Sequence, residues 1–315
     1  MLRTIISRLA LGIVTLVAVS MLIFAATEVL PGDVASAVLG QGATPETLAV
    51  YRKELGLDRP ATTRYLEWFY GAVRGDLGVS MTNKRQISED VAPRFLNTMF
   101  LALFAAAIAV PLAVGLGILS AINEGKLIDR MANVLSLMTI SVPEFFIAYV
   151  LILVFSVQLN WLPSLSTVFQ DMTIGQRLYA TALPAITLTL LVTAHMLRMT
   201  RASVLSIMSQ PYIEMAFLKG LSRSRIIVRH ALPNAAAPII AVVALNLAYL
   251  IVGVVVIEVV FVYPGVGQLM VDAVAKRDLP VVQACSLIFA GTFVLLNTIA
   301  DILAILVNPR LRKRR

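Results

Sequence analysis

The sequence predicts an all-α integral membrane protein with six transmembrane helices and both termini in the cytoplasm. Three observations support this prediction. The 315 residues are 59% apolar and only 14% charged, whereas soluble domains are about 45–50% apolar and roughly 25% charged. Six uncharged stretches approach or exceed the roughly 20 apolar residues that a span needs. Lysine and arginine are concentrated in alternate connecting segments, as is typical of cytoplasmic loops.

The six apolar stretches define the predicted spans in order. They cover residues 9–27, 95–123, 145–170, 178–197, 231–257 and 279–300. The third span is expected to begin near Met131 and therefore to include Glu144. Pro111, Pro143 and Pro184 fall inside or near spans, where neighbouring helices can satisfy the freed carbonyl groups.

The first stretch follows Arg3 and Arg8 and could therefore be a secretory signal. Its apolar run of 19 residues exceeds the usual 7–15 residues of a signal core, and no clear A-x-A cleavage site follows. We therefore expect a retained transmembrane helix.

The orientation follows from the distribution of basic residues. With the N-terminus inside, the cytoplasmic segments are 1–8, 124–130, 198–230 and 308–315. They contain fifteen lysine and arginine residues against three acidic ones, and the rest of the chain contains eleven against fifteen. The predicted organisation is an N-terminal helix with an extracytoplasmic loop (residues 1–94), a five-helix core (95–308) and a basic cytoplasmic tail (309–315). We expect this tail to contact anionic lipid.

The long first loop is predicted to contain two helices. Pro45 after Thr44 indicates a helix start, and Gly56 indicates its end. A second helix is expected over residues 61–73. Its aromatic residues could lie at the membrane–water interface, which we favour, or contact a partner protein; they are Tyr65, Trp68, Phe69 and Tyr70.

Several classes of function are disfavoured by the composition. The net charge of +8 does not indicate nucleic-acid binding, because the basic residues lie beside apolar spans and not on a recognisable binding module. Cys285 is the single cysteine, so no internal disulfide is predicted and we expect it to pack as a small apolar residue. His195 and His230 are the only histidines, and no metal site is predicted. No phosphate-binding loop or catalytic triad stands out, so we predict neither an enzyme nor a cofactor on this chain.

A basic, interrupted segment separates the fourth and fifth predicted spans. Pro211 can begin a short helix, Glu214 complements its dipole and Gly220 can end it. Ser222 can then cap a second short helix, and the fifth span is expected to begin at the prolines that follow; the remaining marked residues are Arg223, Arg225, Arg229, Pro233 and Pro238. The pattern alone leaves two alternatives open: a surface bound by another protein, or an ordinary basic loop that maintains orientation.

This segment resembles a known family. Glu214, Ala216, Gly220 and the pair Leu232-Pro233 fit the cytoplasmic "EAA" loop of ATP-binding-cassette importer permeases. Met215 and His230 depart from the general pattern, and the form RHALPN at 229–234 is similar to the dipeptide, oligopeptide and nickel branch. Further stretches resemble the B-type subunit of that branch; they are LPGD at 30–33, ELGLDRP at 54–60, GDLGVS at 75–80, VFVYPGVGQLMVDAVAKRDLPVV at 260–282 and NTIADILAILVNPRLR at 297–312.

The resemblance implies a type I ABC importer permease in the bacterial inner membrane. It also implies a second permease of the C type, two ATPase subunits that bind ATP and magnesium, and an extracytoplasmic substrate-binding protein. Residues 209–235 would form the coupling loop, in which a side chain at Gly220 is expected to clash or to strain the turn. The implied ATPase contacts are Glu214, Ala216, Gly220, Leu221 and Ser222, and three arginines could pair with acidic groups of the ATPase or with lipid; these are Arg223, Arg225 and Arg229.

Polar residues within the spans are candidates for the solute pathway, because burying them in lipid is costly. Glu144 could equally line the pore or serve structure. Glu258 and Asp301 are expected to pair helices or cap them, with Asn246 as a neutral polar candidate. Tyr263 begins a turn that the resemblance places near the outer gate.

Three classes of function remain after these observations. The first is an ATP-driven importer subunit for di- or oligopeptides, with nickel, glutathione, opines or short glycans as alternative solutes. The second is a self-sufficient secondary transporter, but residues 1–150 and 160–315 show no matching broken helices. A membrane scaffold or enzyme is disfavoured by the missing catalytic residues.

Overall fold

The computed structural model describes residues 2–29, 44–54, 58–169 and 171–307, and these residues are almost entirely helical. Within this part of the chain the only β pairing is one bridge between Val79 and Gln86. Among the described residues, five helices are long and apolar enough to cross a membrane, and the total is six when one bent pair is counted as a single span. The predictions of an all-α fold and of six spans are confirmed.

The helices are numbered in chain order. They are α1 (Leu2–Val29), α2 (Pro45–Glu54), α3 (Ala61–Val73), α4 (Ile87–Ile122), α5 (Leu127–Ser141), α6 (Glu144–Leu151, continued by a π-helical turn at Ile152–Gln158), α7 (Ile174–Ala180), α8 (Ala182–Met208), α9 (Pro211–Leu218), α10 (Arg223–Ile226, continued by a π-helical turn at Ile227–Ala231), α11 (Leu232–Val260), α12 (Val266–Ala275) and α13 (Leu279–Val307). Most spans extend beyond the apolar stretches that predicted them, because a helix can continue past the hydrocarbon region into polar residues. The two loop helices α2 and α3 are confirmed, while Gly56 lies outside the described residues.

The third span is broken in the middle. The chain bends by 103° between helices α5 and α6. Val142 at the break is extended, with φ −102° and ψ 134°, because the ring of Pro143 disfavours a helical residue before it. The prediction of a span over 145–170 is wrong beyond Gln158, where the described residues to 169 are not helical; residue 170 lies outside the described part.

Helices α4 and α8 form the centre of the bundle. Small residues recur every four positions along the α4 face that meets α8, at Ala105, Ala109, Ala113 and Gly117, and all of them are buried. A Cβ atom at Gly117 would lie 2.8 Å from the carbonyl oxygen of Leu197 on α8. Small side chains therefore allow the two backbones to approach closely, which is the usual basis of helix packing in membranes.

The start of α1 and the end of α13 lie at the same end of the bundle. Arg8 near the start of α1 forms an ion pair of 2.9 Å with Asp301 near the end of α13. At the opposite end of the same two helices, Gln283 donates a hydrogen bond of 2.6 Å to Thr27. Helix α3 packs beside this outer end of α1, where the hydroxyls of Tyr65 and Ser20 are 2.9 Å apart. Residue 308 and the basic tail (309–315) lie outside the described residues.

The outer end contains a second cluster of buried side chains. Ile87 and Val91 of α4 pack there with Val266 of α12 and with residues at the start of α13. Cys285 belongs to this cluster and is buried, so its predicted role as a small packing residue is confirmed. This cluster packs α12 against α4 and α13. It lies next to the turn at residues 261–265 that joins α11 to α12, which we call the outer turn.

Candidate functional site

The segment between α8 and α11 contains most of the predicted coupling residues. Pro211 occupies the first turn of α9, where its missing N–H costs no hydrogen bond. Gly220 ends the helix with φ +77°. The N–H of Leu221 donates to the carbonyl of Ala216 (3.3 Å) and the N–H of Gly220 donates to that of Phe217 (2.9 Å), which is a Schellman ending. The turn is therefore defined by backbone hydrogen bonds.

The predicted clash at Gly220 is absent, and the predicted strain is present. A Cβ atom there would meet nothing within 4 Å. Side chains larger than glycine are nevertheless disfavoured at this positive φ. A substitution would thus act on the conformation of the turn and not on its packing.

Helix α9 has an inner face that is buried and an outer face that is exposed. Ile213 and Ala216 pack against Ile226 and Ala231. The opposite face exposes Tyr212, Met215 and Leu218, of which Leu218 is 76% exposed. We call these three residues the apolar ridge of α9. A short helix with an apolar ridge beside charged groups is suited to receive a partner protein.

The structure divides the predicted coupling residues into two groups. Glu214, Gly220, Ser222, Arg225 and Arg229 are exposed. Ala216 is buried and Leu221 is half-buried, so they support α9 from within. The side chain of Arg223 lies outside the described residues.

Helix α10 continues without a break into α11. The π-helical turn at Ile227–Ala231 joins them, and the span Ile227–Val260 has 34 residues, or about 51 Å at 1.5 Å per residue. The predicted start of the fifth span at residue 231 coincides with the start of α11, and Pro233 lies in the first turn of that helix. The helical run begins earlier, at α10, as other helices also continue beyond their apolar stretches. Proline within a helix removes one backbone hydrogen bond, and the wider π-helical turn precedes the position of Pro233.

A cavity of about 460 Å³ lies between the broken third span, α8 and α11. Its polar lining residues are Thr139, Glu144, His195, Asn246 and Tyr249, and its other lining residues are apolar. The structure thus brings together two predicted pathway residues, Glu144 and Asn246. The amide of Asn246 donates to the carbonyl of Val242 (2.8 Å) within its own helix.

The carboxylate of Glu144 lines this cavity without a hydrogen-bond or ion-pair partner among the described residues. A Cβ atom added at Gly253 would lie 3.9 and 4.0 Å from the two carboxylate oxygens. The carboxylate therefore faces a part of α11 that presents no side chain.

Glu258 lies at the outer end of α11 and is fully buried. Its carboxylate accepts hydrogen bonds from the hydroxyl of Thr98 (2.6 Å) and from the N–H groups of Gly267 (2.7 Å) and Gln268 (3.2 Å). It thus caps the N-terminus of α12, where the helix dipole favours a negative charge. A Cβ atom at Gly265 or Gly267 would overlap this carboxylate, which explains both glycines in the sequence YPGVG.

Tyr263 is buried beside Glu258 in the same turn. Its hydroxyl donates to the carbonyl of Asn97 (2.7 Å), and its N–H donates to the carbonyl of Glu258 (2.8 Å). Burial raises the pKa of Tyr263 to about 12. The side chain of Asn97 also donates to the carbonyl of Pro264 (2.9 Å) and accepts from Arg177 (2.6 Å). Tyr263 and Glu258 therefore belong to one hydrogen-bonded network at the outer end.

Asp278 joins the first loop to the turn between α12 and α13. Its carboxylate accepts from the hydroxyls of Ser80 (2.5 Å) and Thr82 (2.6 Å) and from the N–H groups of Met81 (3.1 Å) and Thr82 (3.2 Å). Burial raises the pKa of Asp278, but these hydrogen bonds outweigh it and hold the pKa below the ordinary value. Residues 198 positions apart in the chain are thereby tied together.

An ion pair with a buried carboxylate lies at the inner end. Arg201 of α8 donates to both carboxylate oxygens of Asp129 at 2.6 and 2.8 Å. Ser120 and the N–H of Gly125 also donate to Asp129. Neither this pair nor the outer partners Asn97, Thr98 and Arg177 are predicted by the sequence, because no local pattern indicates which polar residues of distant helices will meet. The exposed pair of Arg8 and Asp301 lies elsewhere on the inner side.

The chain resembles known proteins over nearly its whole length. The family model described as "Binding-protein-dependent transport system inner membrane component" matches residues 113–313, and its N-terminal companion matches residues 1–102. The glutathione transport system permease protein GsiC of Escherichia coli O6:H1 (strain CFT073) is 38% identical over 312 residues, which are 99% of both chains. The GsiC proteins of Escherichia coli K12 and Shigella flexneri serotype 5b are each 37% identical over the same length and the same shares.

The fold is also found among solved structures. An inward-facing conformation of the MetNI methionine ABC transporter matches with a TM-score of 0.54 and 15% identity. The match covers 69% of this chain and 96% of that chain.

Proposed function

The chain belongs to the family of binding-protein-dependent transport system inner membrane components, and on this premise we propose that it imports di- or oligopeptides. It is a permease subunit of an ABC importer in the bacterial inner membrane, with type I architecture. Relatives that are 37–38% identical over 99% of their length are named as glutathione permeases. Glutathione is itself a tripeptide, so it is the specific alternative that this likeness favours.

The apolar ridge of α9 is the observation that carries the proposed coupling to ATP hydrolysis. Tyr212, Met215 and Leu218 are exposed on α9, in the segment that the distribution of basic residues predicts to be cytoplasmic. In the proposed complex this ridge enters a groove of a separate ATPase subunit, which binds ATP and magnesium. The exposed Glu214, Arg225 and Arg229 lie around it, where they would pair with charged groups of the ATPase or, in the case of the arginines, with lipid.

The continuity of α10 with α11 supports a mechanical role for this contact. Ile213 and Ala216 pack α9 against Ile226 and Ala231 at the start of the long helix. Movement of the ATPase pair would therefore displace α11 as a rigid body, a common form of conformational coupling. A second permease subunit would complete the pathway, and an extracytoplasmic binding protein would deliver the solute to the outer end.

The first test is a pull-down of the tagged chain from native membranes in mild detergent. We expect an ATPase and a second six-span subunit to co-purify with the wild-type chain. Gly220→Val should lower ATPase recovery about tenfold, because a β-branched residue at φ +77° strains the turn by about 1–2 kcal/mol. Glu214→Lys should weaken ATPase recovery as well, because it reverses an exposed charge beside the ridge.

Gly75→Val is the matched control for this test. Gly75 also has a positive φ of +86° and open space around its Cβ position, but it lies in the first loop, at the opposite end of the bundle. This variant should retain the ATPase. If Gly220→Val and Glu214→Lys kept both the ATPase and transport, the proposed contact would be refuted. A wild-type chain that purified alone and still transported solute would favour the secondary transporter.

A further inference from the structure

The cavity between the broken third span, α8 and α11 contains an unpaired carboxylate in mainly apolar surroundings. We propose that Glu144 forms a cation-binding position in the solute pathway and that it receives the ammonium group of a peptide. This inference rests on the proposed function and adds the chemical group by which the pathway recognises its solute. It concerns a site inside the membrane, separate from the soluble binding protein.

Glu144 differs from the other acidic residues within the described spans that reach into the bundle. Asp129 is bound by Arg201, and Glu258 accepts three hydrogen bonds from Thr98 and the start of α12. Glu144 has no such partner among the described residues. An ionised carboxylate without a partner is costly in apolar surroundings, and a bound cation would offset that cost.

The lining of the cavity has the charge that such a ligand requires. Glu144 is its only carboxylate, and none of the lining residues that the structure describes is lysine or arginine. His195 is its one other titratable group apart from the phenol of Tyr249. The fixed charge in the cavity is therefore negative whenever Glu144 is ionised and His195 is neutral.

The space beside the carboxylate is open because of Gly253. The Cβ position of Gly253 is in van der Waals contact with the carboxylate oxygens, so a longer side chain would occupy the place of the ligand. Tyr249 lies one helical turn away on the same face of α11 and also lines the cavity. Its ring provides a second group that attracts an ammonium ion, through a cation–π contact.

The rest of the cavity fits the body of a short peptide. Asn246 lies seven residues from Gly253, which is about 10 Å along the helix. Its side-chain oxygen offers a polar contact at that distance, while its amide nitrogen donates to Val242. Leu191, Val192 and Leu250 supply apolar lining. A peptide with its ammonium group at Glu144 would extend along α11 towards Asn246.

The test measures the charge preference of the cavity with two thiol reagents. Val252 lines the cavity and is 50% exposed, so Val252→Cys is the reporter. Cys285, the only native cysteine, is buried and should not react. In membranes that contain the full transporter, labelling rates are compared for a methanethiosulfonate with a trimethylammonium group and one with a sulfonate group.

We expect Glu144→Gln to lower the ratio of cationic to anionic labelling rates by about tenfold, the scale of one lost charge-assisted contact. Glu144→Asp, which keeps the charge, should preserve most of the ratio. Two controls should leave it unchanged. One is Glu89→Gln, which removes an exposed carboxylate outside the cavity. The other uses Val274→Cys as the reporter, on α12, with a similar exposure of 52%. The ratio measured at Val274→Cys should be the same with and without Glu144→Gln.

The solute class is tested by protection of the Val252→Cys reporter. Trialanine should slow labelling, whereas N-acetyl-trialanine, which lacks the ammonium group, should not. An unchanged reagent ratio in Glu144→Gln would overturn the cation-binding position. Equal protection by the two peptides, or protection by neither, would overturn the assignment of the ammonium group.

The labelling result is independent of the ATPase pull-down. If the reagent ratio falls in Glu144→Gln but no ATPase co-purifies with the wild-type chain, the cation-binding position stands and the proposed coupling fails. If the ATPase co-purifies and the ratio does not change, the importer stands and the cation-binding position fails.

Discussion

At the scale of single residues, buried carboxylates determine how distant segments are held together. Glu258 caps α12 from the end of α11, and Asp278 binds the backbone and hydroxyl groups of residues 80–82. Charge-assisted hydrogen bonds of this kind are stronger than neutral ones. Each carboxylate accepts hydrogen bonds from backbone N–H or hydroxyl groups of another segment, which apolar side chains could not do.

The Asp278 contact predicts a specific dependence of stability on pH. Asp278→Asn should lower the free energy of unfolding by about 1–3 kcal/mol at pH 7, because the amide leaves donors of Ser80 and Thr82 without a good acceptor. The pKa of Asp278 is lowered in the folded chain, so its stabilisation is present above the unfolded pKa of about 3.9. It is lost as the pH falls through the lower folded pKa.

Thermal unfolding of the purified chain in detergent at pH 7, 5 and 3 measures this effect. The wild-type and Asp278→Asn melting temperatures should differ at pH 7 and 5 and begin to converge near pH 3. Asp171→Asn, which changes an exposed aspartate in a loop, should show no such convergence. A constant difference between wild type and Asp278→Asn at all three pH values would contradict the assignment.

At the scale of helices, the contact of α4 with α8 depends on the absence of side-chain atoms. Gly117 meets the backbone of Leu197 and the side chain of Thr200, and Cβ contacts there would be 2.8 Å. Gly115 is on the same helix, and a Cβ atom at that position would meet nothing within 4 Å. Of these two glycines in one helix turn, Gly117 is therefore required for the close approach of α8 and Gly115 is not.

This difference gives a paired prediction. Gly117→Ala should destabilise the chain by about 1–3 kcal/mol, because the added methyl group forces α4 and α8 apart. Gly115→Ala should be neutral or stabilise slightly, since alanine has the higher helix propensity. Melting temperatures of both variants, measured in the same detergent, check the prediction; an equal effect of the two substitutions would contradict the close approach.

The extent of sequence prediction also differs from helix to helix. Apolar length was enough to predict six spans, and proline and glycine signals were enough to predict α2 and α9. The break between α5 and α6 was not predicted as a 103° bend, although Pro143 marks its position. Hydropathy reports how apolar a stretch is and carries no information on the direction in which a broken span continues.

In the candidate site, the local turn was predictable from the sequence and the contacts between distant helices were not. Gly220 was expected to end α9, because glycine adopts a positive φ at low cost. The pairing of Asp129 with Arg201 could not be predicted, because it joins residues 72 positions apart on different helices. Neither the periodicity of α5 nor that of α8 specifies such a partner.

At the scale of the whole molecule, one helical run connects the two ends of the bundle. Helices α10 and α11 extend from the contact with α9 to Glu258, which holds the outer turn and α12. Two described regions that would contact different partners in the proposed complex are therefore parts of one rigid element. A change of position at one end must be accommodated at the other.

Glu258→Gln should leave assembly with the ATPase intact and weaken the coupling between the outer end and the ATPase. The ATPase should still co-purify, because α9 is unchanged, but the amide cannot accept from Thr98, Gly267 and Gln268 as the carboxylate does. We expect stimulation of ATP hydrolysis by the binding protein to fall about fivefold or more, within the usual range of coupling between sites.

The measurement compares ATPase rates of the reconstituted complex with and without the binding protein. Glu89→Gln is the control, since it removes an exposed carboxylate on α4 that is not part of the Glu258 network. Full stimulation in Glu258→Gln would show that the outer turn does not take part in the coupling.

The apolar ridge of α9 also has a consequence for biosynthesis. A copy that is inserted into the membrane but has not met its ATPase presents Tyr212, Met215 and Leu218 to the cytosol. Exposed apolar surface of this kind is what chaperones and proteases of cellular quality control recognise. Orphan copies should therefore have a shorter half-life than assembled ones. Stoichiometry among the subunits would then be enforced by degradation of the surplus, and the scarcest subunit would set the number of transporters per cell.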